Sequence, residues 1–335
     1  MYYGQYRNFQ NISYLPSTDH QKPSVMKKIT VITLAVLISI VSLGQKLETT
    51  YLNPKDTTAN MYIAVIPEDR PIKAFLILLD GFGVTSPKGL LAETQLPILA
   101  AKQGVLVILP ILATGSLYFG SDDASQESLK SLIGMVSDKY HLQGKDFYLG
   151  GFSIGGTCAV KYTELSVRDN YWIKPKAVFA VDPPLDWERF FNAAKRVVRL
   201  SEPGKVNPEV SYMIGRIEKE MEGTPQKAIE NYYDRSPYSF TDTTQRAVRN
   251  LINTPLMLIS EPDIQWWMSN RGYDYSFINV EDQAAMIDEL QRLGNKKAIL
   301  VTTTGKGYRE PGHARHPHSW SIADPGTVMK WLLSQ

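Results

Sequence analysis

The sequence is poor in cysteine, and this shortage excludes several kinds of site. Cys158 is the only cysteine in 335 residues, so the chain can form no intramolecular disulfide and no cysteine-based metal site. No cysteine directly follows the apolar run at residues 29–43, which excludes a lipid anchor at that place. The formal net charge is only +2, and no basic run carries interleaved aromatics, so we expect no nucleic-acid partner.

The bulk composition is that of an ordinary globular protein. Hydrophobic residues make up 43% of the chain and charged residues 21%, which leaves enough apolar surface for a substantial core. The sequence contains no internal repeat and no low-complexity linker. A chain of this length can fold as one α/β domain.

The N-terminal region has the pattern of an export signal. Residues 26–44 begin with Met-Lys-Lys, continue into an apolar run and end with the small residues Ser42 and Gly44. The run is shorter than the roughly 20 residues that span a bilayer, so we predict a cleaved signal peptide and no stable membrane span. We interpret residues 1–25 as a non-native extension and expect a secreted or periplasmic folded domain at 46–335.

Beyond the signal, short apolar runs alternate with helical patterns. The alternation predicts an α/β fold with a mostly parallel sheet and helices on both faces. The long segment at about 186–250 exceeds an ordinary connection, and we predict a helical lid there. Strands are predicted at 62–67, 74–80, 105–112, 147–150, 177–181, 255–259 and 297–302. Helices are predicted at 128–141, 157–165, 282–293 and 325–333.

A serine lies at the centre of a glycine-flanked motif. Gly151-Phe152-Ser153-Ile154-Gly155 fits G-x-S-x-G, with a predicted strand before it and a predicted helix after it. A sharp strand-to-helix turn would place the hydroxyl of Ser153 at the carboxyl end of the sheet, on a helix N-terminus that favours negative charge. We therefore predict that Ser153 is a nucleophile.

The nucleophile needs a base, and the chain offers five histidines. His20 lies in the predicted extension, and His141 ends a helix on the wrong side of the sheet order. His313, His316 and His318 all lie between the last predicted strand and the last helix, from which an imidazole can reach Ser153. We predict His318 as the base, with His313 as the alternative. A metal site built from the H-x-x-H-x-H spacing is disfavoured, because no matching cysteine or spaced carboxylate accompanies it.

The third member must be a carboxylate that orients the imidazole. Asp263 and Glu261 follow the strand predicted at 255–259, and we favour Asp263 from its place in the sheet order. Glu261, Asp274 and Asp182, the last at the end of the preceding strand, remain open alternatives.

Two further groups complete the predicted site. The backbone N–H groups of Ile154 and of Phe82, in the glycine-rich loop at 79–83, are the expected oxyanion hole. Trp266 and Trp267 adjoin Asp263, so we predict that they bind substrate.

The sequence resembles the α/β-hydrolase superfamily over most of residues 60–335, in the chain order serine, acid, histidine. The segments Arg235-Ser236-Pro237, 255–259 and Gly312-His313 look like the catalytic domains of prolyl-oligopeptidase-type peptidases and related esterases. Asp80-Gly81 matches the usual oxyanion-loop pair loosely, and Ser260-Glu261-Pro262 replaces a common glycine before the acid. The resemblance implies a serine hydrolase without a cofactor.

Three functions follow from these residues. The leading one is hydrolysis of a small-molecule carboxylic ester through an acyl-enzyme. The second is peptide or amide hydrolysis by the same groups, on a short peptide. The third is an inactive hydrolase fold that serves for binding. The sequence does not predict an oligomeric state.

Overall fold

The computed structural model describes residues 45–335 apart from 54, 56–58 and 203. The predicted extension at 1–25 and the predicted signal peptide at 26–44 lie outside the described residues. Across the part of the chain that is described, no helix has the length and apolar character needed to cross a membrane.

A single eight-stranded sheet forms the centre of the fold, in the order β1-β2-β4-β3-β5-β6-β7-β8. The strands are β1 (Gln45–Tyr51), β2 (Met61–Pro67), β3 (Ala74–Leu79), β4 (Val105–Ile111), β5 (Asp146–Phe152), β6 (Ala177–Val181), β7 (Leu256–Ser260) and β8 (Ala298–Thr302). All neighbours from β4 to β8 pair in parallel, whereas β1–β2 and β2–β4 are antiparallel. The predicted mostly parallel sheet is confirmed, and β1 is an edge strand that was not predicted.

The central strands are apolar because both of their faces are covered. Every residue of β3 is buried, and its side chains alternate between two hydrophobic layers. Phe75 and Ile77 pack in one layer, whereas Leu76 and Leu78 pack in the other. This period of two residues follows from the pleat of a strand.

Helices cover both faces of the sheet, as predicted, and complete the two hydrophobic layers. They are α1 (Lys88–Glu93), α2 (Leu96–Lys102), α3 (Asp123–Lys139), α4 (Ile154–Arg168), α5 (Trp187–Leu200), α6 (Pro208–Glu220), α7 (Pro225–Arg235), α8 (Ile264–Arg271), α9 (Val280–Arg292) and α10 (Pro325–Leu333). Most buried apolar residues of α3, α4 and α9 belong to the layer of Ile77, and those of α2 and α10 to the layer of Leu76. A two-residue hairpin, β9 (Tyr308–Arg309) with β10 (Ala314–Arg315), follows β8.

A helical segment separates β6 from β7, where the sequence predicts one at about 186–250. It contains α5, α6, α7 and a short 3-10 helix. The side chain of Asp186 accepts the N–H of Arg189 and so caps α5, the first of these helices. The carboxyl ends of β5, β6, β7 and β8 lie along one sheet edge beneath the loops that carry the site residues.

Candidate active site

Ser153 occupies the tight turn between β5 and α4. Its φ of 53° and ψ of −125° are unusual for a residue with a side chain. A Cβ on Gly151 would lie 2.3 Å from the carbonyl oxygen of Gly155, and a Cβ on Gly155 would lie 2.3 Å from the carbonyl oxygen of Leu79. Both glycines of the motif are therefore required by close backbone approach, and the strained turn presents the serine hydroxyl at the sheet edge.

A chain of hydrogen bonds links Ser153, His318 and Asp182. The Nε2 atom of His318 lies 2.9 Å from the Ser153 hydroxyl, and its Nδ1 atom lies 2.6 Å from a carboxylate oxygen of Asp182. A carboxylate can only accept, so Nδ1 carries the hydrogen and Nε2 presents its lone pair to the serine hydroxyl. This is the geometry that a serine needs to lose its proton to a base.

Asp182 is fixed by its neighbours on every side. It directly follows β6 with φ of 48°, and its backbone N–H donates to the carbonyl oxygen of Ile259 at 2.7 Å. Its second carboxylate oxygen accepts from the Ser260 hydroxyl at 2.6 Å and from the Gln283 side-chain amide at 3.2 Å. The side chain is almost fully buried, so these donors compensate a charge that would otherwise be costly.

The expectation that Asp263 lies against His318 is wrong. One Asp263 oxygen accepts the backbone N–H of Trp266 at 3.1 Å and caps α8, and the other lies 2.6 Å from an Arg315 nitrogen. The chain turns into α8 directly after β7, which commits this carboxylate to the helix N-terminus. Asp182, one of the open alternatives, takes the place beside the imidazole.

The other two candidate acids also have different partners. Glu261 lies 2.5 Å from Arg315 and accepts the backbone N–H of Lys306 at 2.7 Å. Asp274 accepts from the Ser276 hydroxyl at 2.6 Å and pairs with Arg196 at 2.5 Å, and these contacts keep the pKa of Asp274 below its usual value. These contacts hold loops in place and do not reach the serine.

The remaining late histidines lie apart from Ser153. His313 is exposed, pairs with Glu310 at 2.7 Å and stacks on the Tyr308 ring at 4.4 Å between centroids. His316 packs against Trp266 and Trp267, and burial lowers its pKa to about 3. Among the residues that the structure describes, no group of three histidine, cysteine or acidic side chains is placed to hold a metal ion.

The two predicted oxyanion-hole residues lie beside the serine. A Cβ on Gly81 would lie 3.4 Å from the Cβ of Ser153, so the loop after β3 passes directly over the nucleophile turn. Phe82 and Ile154 both line the same cavity as Ser153. Within the described residues, neither of their backbone N–H groups donates a hydrogen bond. Both are therefore available to an oxygen atom of a bound substrate.

A cavity of about 380 Å³ opens above Ser153 and His318. One wall comes from the segment between β6 and β7, where Phe190, Val210 and Met213 are apolar and Asn207 and Glu209 are polar. Trp267, one of the two residues predicted to bind substrate, lines the same cavity. Trp266 instead packs against His316, with 4.8 Å between ring centroids.

The cavity also has charged side chains that the sequence did not single out as site residues, namely Asp80, Glu93, Glu209, Arg271, Arg309 and Glu310. Asp80 accepts the indole N–H of Trp320 at 2.9 Å and the backbone N–H of Gly81 at 2.8 Å, and its burial raises its pKa. Arg309 donates from Nε to the carbonyl oxygen of His318 at 3.0 Å. Asp80 directly follows β3 and precedes the loop predicted to supply an oxyanion-hole N–H, which is a readable signal. Arg309 lies in β9, a strand of only two residues, which is too short to leave a pattern in the sequence.

Comparison with known proteins gives the fold. No family model matches the chain, and no curated protein matches it. Carboxyl esterase 2 of Tuber melanosporum superposes with a TM-score of 0.53 at 14% identity, over 90% of this chain and 87% of the esterase. An esterase/lipase from an uncultured bacterium superposes with a TM-score of 0.52 at 12% identity, over 87% and 86%. An S-formylglutathione hydrolase of Agrobacterium tumefaciens gives 0.52 at 11%, over 88% and 96%. The chain has the α/β-hydrolase fold.

Proposed function

We propose that this chain is an exported serine hydrolase that cleaves a carboxylic ester through an acyl-enzyme. The observation that carries the proposal is the hydrogen-bonded line from the Ser153 hydroxyl through His318 to Asp182, at 2.9 Å and 2.6 Å, at the floor of an open cavity. The strained turn at Ser153 supports it, because such strain is costly to a merely structural serine.

The reaction follows from the roles of these atoms. Ser153 attacks the ester carbonyl carbon while His318 Nε2 accepts the hydroxyl proton, and Asp182 stabilises the imidazolium. The carbonyl oxygen gains negative charge and accepts from the N–H groups of Ile154 and Phe82. His318 then returns the proton to the departing alcohol, which leaves an acyl-enzyme. Water, deprotonated by the same imidazole, releases the acid and restores the serine.

Ester hydrolysis is proposed ahead of the alternatives on two grounds. The solved structures of similar fold include a carboxyl esterase and an esterase/lipase, although at 12–14% identity they support the fold more than the substrate. An inactive binding protein would have no need of the continuous hydrogen-bonded line. Peptide or amide hydrolysis uses the same groups and is the second candidate, because cleavage needs only a protonated amine as leaving group.

Two further parts of the proposal concern the chain around the site. We propose that the helical segment at about 186–250 acts as a lid, because Phe190 of α5 and Val210 and Met213 of α6 line the cavity. We also propose that residues 26–44 direct export and that the mature protein is secreted or periplasmic. N-terminal sequencing of protein recovered outside the cytoplasm tests this, and recovery of an uncleaved chain from the cytoplasm alone would contradict it.

Labelling with a fluorophosphonate tests the nucleophile and the base together. The wild type is expected to label, Ser153→Ala to lose labelling completely, and His318→Ala to label far more slowly. His313→Ala is the matched control and is expected to label like the wild type, because His313 is exposed and paired with Glu310. Persistent labelling of Ser153→Ala would end the proposal.

Substrate preference is tested on the purified chain with short 4-nitrophenyl esters and aminoacyl 4-nitroanilides. We expect faster turnover of the esters. A preference for the anilides would reverse the order of the two enzymatic candidates and leave the assignment of Ser153 and His318 intact.

A further inference from the structure

Arg309 places a guanidinium group in the wall of the cavity that contains Ser153. Its Nε donates to the carbonyl oxygen of His318 at 3.0 Å, and its central carbon lies 5.2 Å from the centroid of the Phe152 ring. Phe152 directly precedes Ser153, and its ring packs against the His318 ring at 4.5 Å. The guanidinium is thus held one side chain away from the reacting atoms.

Among the residues that the structure describes, Arg309 has no carboxylate partner for its charge. Across the described residues no carboxylate oxygen lies within 4.0 Å of its nitrogen atoms, whereas Arg315 lies 2.5 Å from Glu261. Its Nη1 and Nη2 atoms donate to none of the described groups. Neither atom is fully buried, so both retain accessible surface. Their N–H groups therefore remain available to a ligand in the cavity.

The acids around Arg309 do not offset the cost of burying its charge. Desolvation lowers the pKa of Arg309, although Glu93, Asp80 and Glu209 favour its charged form from a greater distance. Burial in turn raises the pKa values of Asp80 and Glu93, which weakens their contribution. A guanidinium that is desolvated without a partner gains most from an anion that supplies two hydrogen bonds at once.

We propose that Arg309 binds a carboxylate group of the substrate, so that the site prefers esters that carry a negative charge in their acyl or alcohol part. This inference rests on the proposed function, because it assigns a substrate class to the same cavity. Arg309 then determines specificity rather than chemistry, since its planar fork matches the two oxygens of a carboxylate.

A charge series tests the acyl part. Mono-4-nitrophenyl glutarate carries the anion, 4-nitrophenyl valerate is neutral and of the same length, and 4-nitrophenyl 4-(trimethylammonio)butyrate is cationic. The alcohol part is tested with 4-(butyryloxy)benzoate against 4-(butyryloxy)benzamide. We expect the anion to exceed its neutral counterpart in kcat/KM by at least about tenfold in one of the two arms. Equal rates in both arms, or faster cleavage of the cationic ester, would overturn the inference.

Substitution of Arg309 distinguishes a role in recognising the substrate anion from a role in holding His318 in place. Arg309→Gln is expected to remove the preference for the anion while it slows the neutral ester much less, and Arg309→Lys to restore part of the preference. An equal loss on all esters in Arg309→Gln would indicate a structural role alone and refute the inference. Arg292→Gln is the matched control and is expected to keep the charge preference, because Arg292 lies outside the cavity, on α9, in an exposed pair with Asp288 at 2.7 Å.

The two levels of the proposal fail differently. If neutral esters turn over and Ser153 reacts with the fluorophosphonate while no charge preference exists, only the role of Arg309 is lost. If no ester turns over and Ser153 does not label, the proposed hydrolase activity itself is lost.

Discussion

Replacement of Asp182 by asparagine tests the acid that the structure places beside His318. The substitution keeps the size of the side chain and one carbonyl oxygen, which can still accept from Ser260 and Gln283. The second oxygen, now 2.6 Å from His318 Nδ1, becomes an NH₂ group. Two donors cannot share a hydrogen bond, so Nδ1 must give up its hydrogen and Nε2 must carry it.

The expected loss of activity follows from this change of tautomer. An Nε2 atom that carries hydrogen cannot accept the proton of Ser153, and the positive charge of the imidazolium is no longer compensated by Asp182. Loss of both effects lowers kcat by about 10³- to 10⁴-fold in a serine hydrolase. KM is expected to change little, since Asp182 acts on the imidazole and not on the bound ester.

Asp263→Asn is the matched control for this experiment. Asparagine also caps helices well, so α8 keeps its N-terminal hydrogen bond and only the contact with Arg315 at 2.6 Å is lost. We expect kcat within about threefold of the wild type, because a partly exposed ion pair contributes little. The assay is steady-state hydrolysis of a 4-nitrophenyl ester, with thermal unfolding to confirm that both variants fold. Inactivation by Asp263→Asn with an active Asp182→Asn would refute the assignment.

Three other predictions concern the turn, a helix and a buried imidazole. Gly155→Ala is expected to destabilise the fold by about 3 kcal/mol or more and to abolish phosphonate labelling, because its Cβ would lie 2.3 Å from the Leu79 carbonyl oxygen. Gly134→Ala, whose Cβ meets open space in α3, is expected to raise the free energy of unfolding by up to about 1 kcal/mol, and denaturant titration of both variants checks the contrast. His316 has a pKa lowered to about 3, below its usual value near 6.5, so its contribution to stability is present above pH 6.5 and is lost as the pH falls toward 3. His316→Asn is expected to flatten the dependence of stability on pH between 3 and 6.5 and to leave the acid limb of the kcat/KM profile unchanged. An NMR signal of His316 that titrates near pH 6.5 would contradict the reasoning.

Much of the fold could be predicted because the central strands are recognisable in the sequence as apolar runs. The elements that were missed have weak patterns. In β1 only Gln45, Glu48 and Thr50 are partly buried and the other residues are exposed, as befits an edge strand. The helix α8 buries no residue and so lacks the apolar stripe that identifies a helix. Both depend on tertiary contacts rather than on local periodicity.

The site residues also differ in whether neighbouring sequence or the tertiary fold determines their place. Ser153 could be predicted because its turn is specified by the glycines on either side, within five consecutive residues. His318 could be predicted because few histidines compete for the role. The acid could not, because the chain has 34 acidic residues and the choice depends on which loop reaches the imidazole. The available signal was position, since Asp182 directly follows β6, the strand that pairs with β5.

The end of β7, where the sequence suggested the acid, has a supporting role instead. Ser260 donates to Asp182 at 2.6 Å, and the carbonyl oxygen of Ile259 accepts the Asp182 backbone N–H at 2.7 Å. Gln283, from α9, donates to the same carboxylate oxygen as Ser260. Because β7 lies next to β6, the Ser260 hydroxyl can donate to the Asp182 oxygen that His318 does not contact. Both oxygens of the buried carboxylate therefore have hydrogen-bond partners. The carboxylate that directly follows β6 therefore has a small hydrogen-bond donor beside it, because Ser260 ends β7.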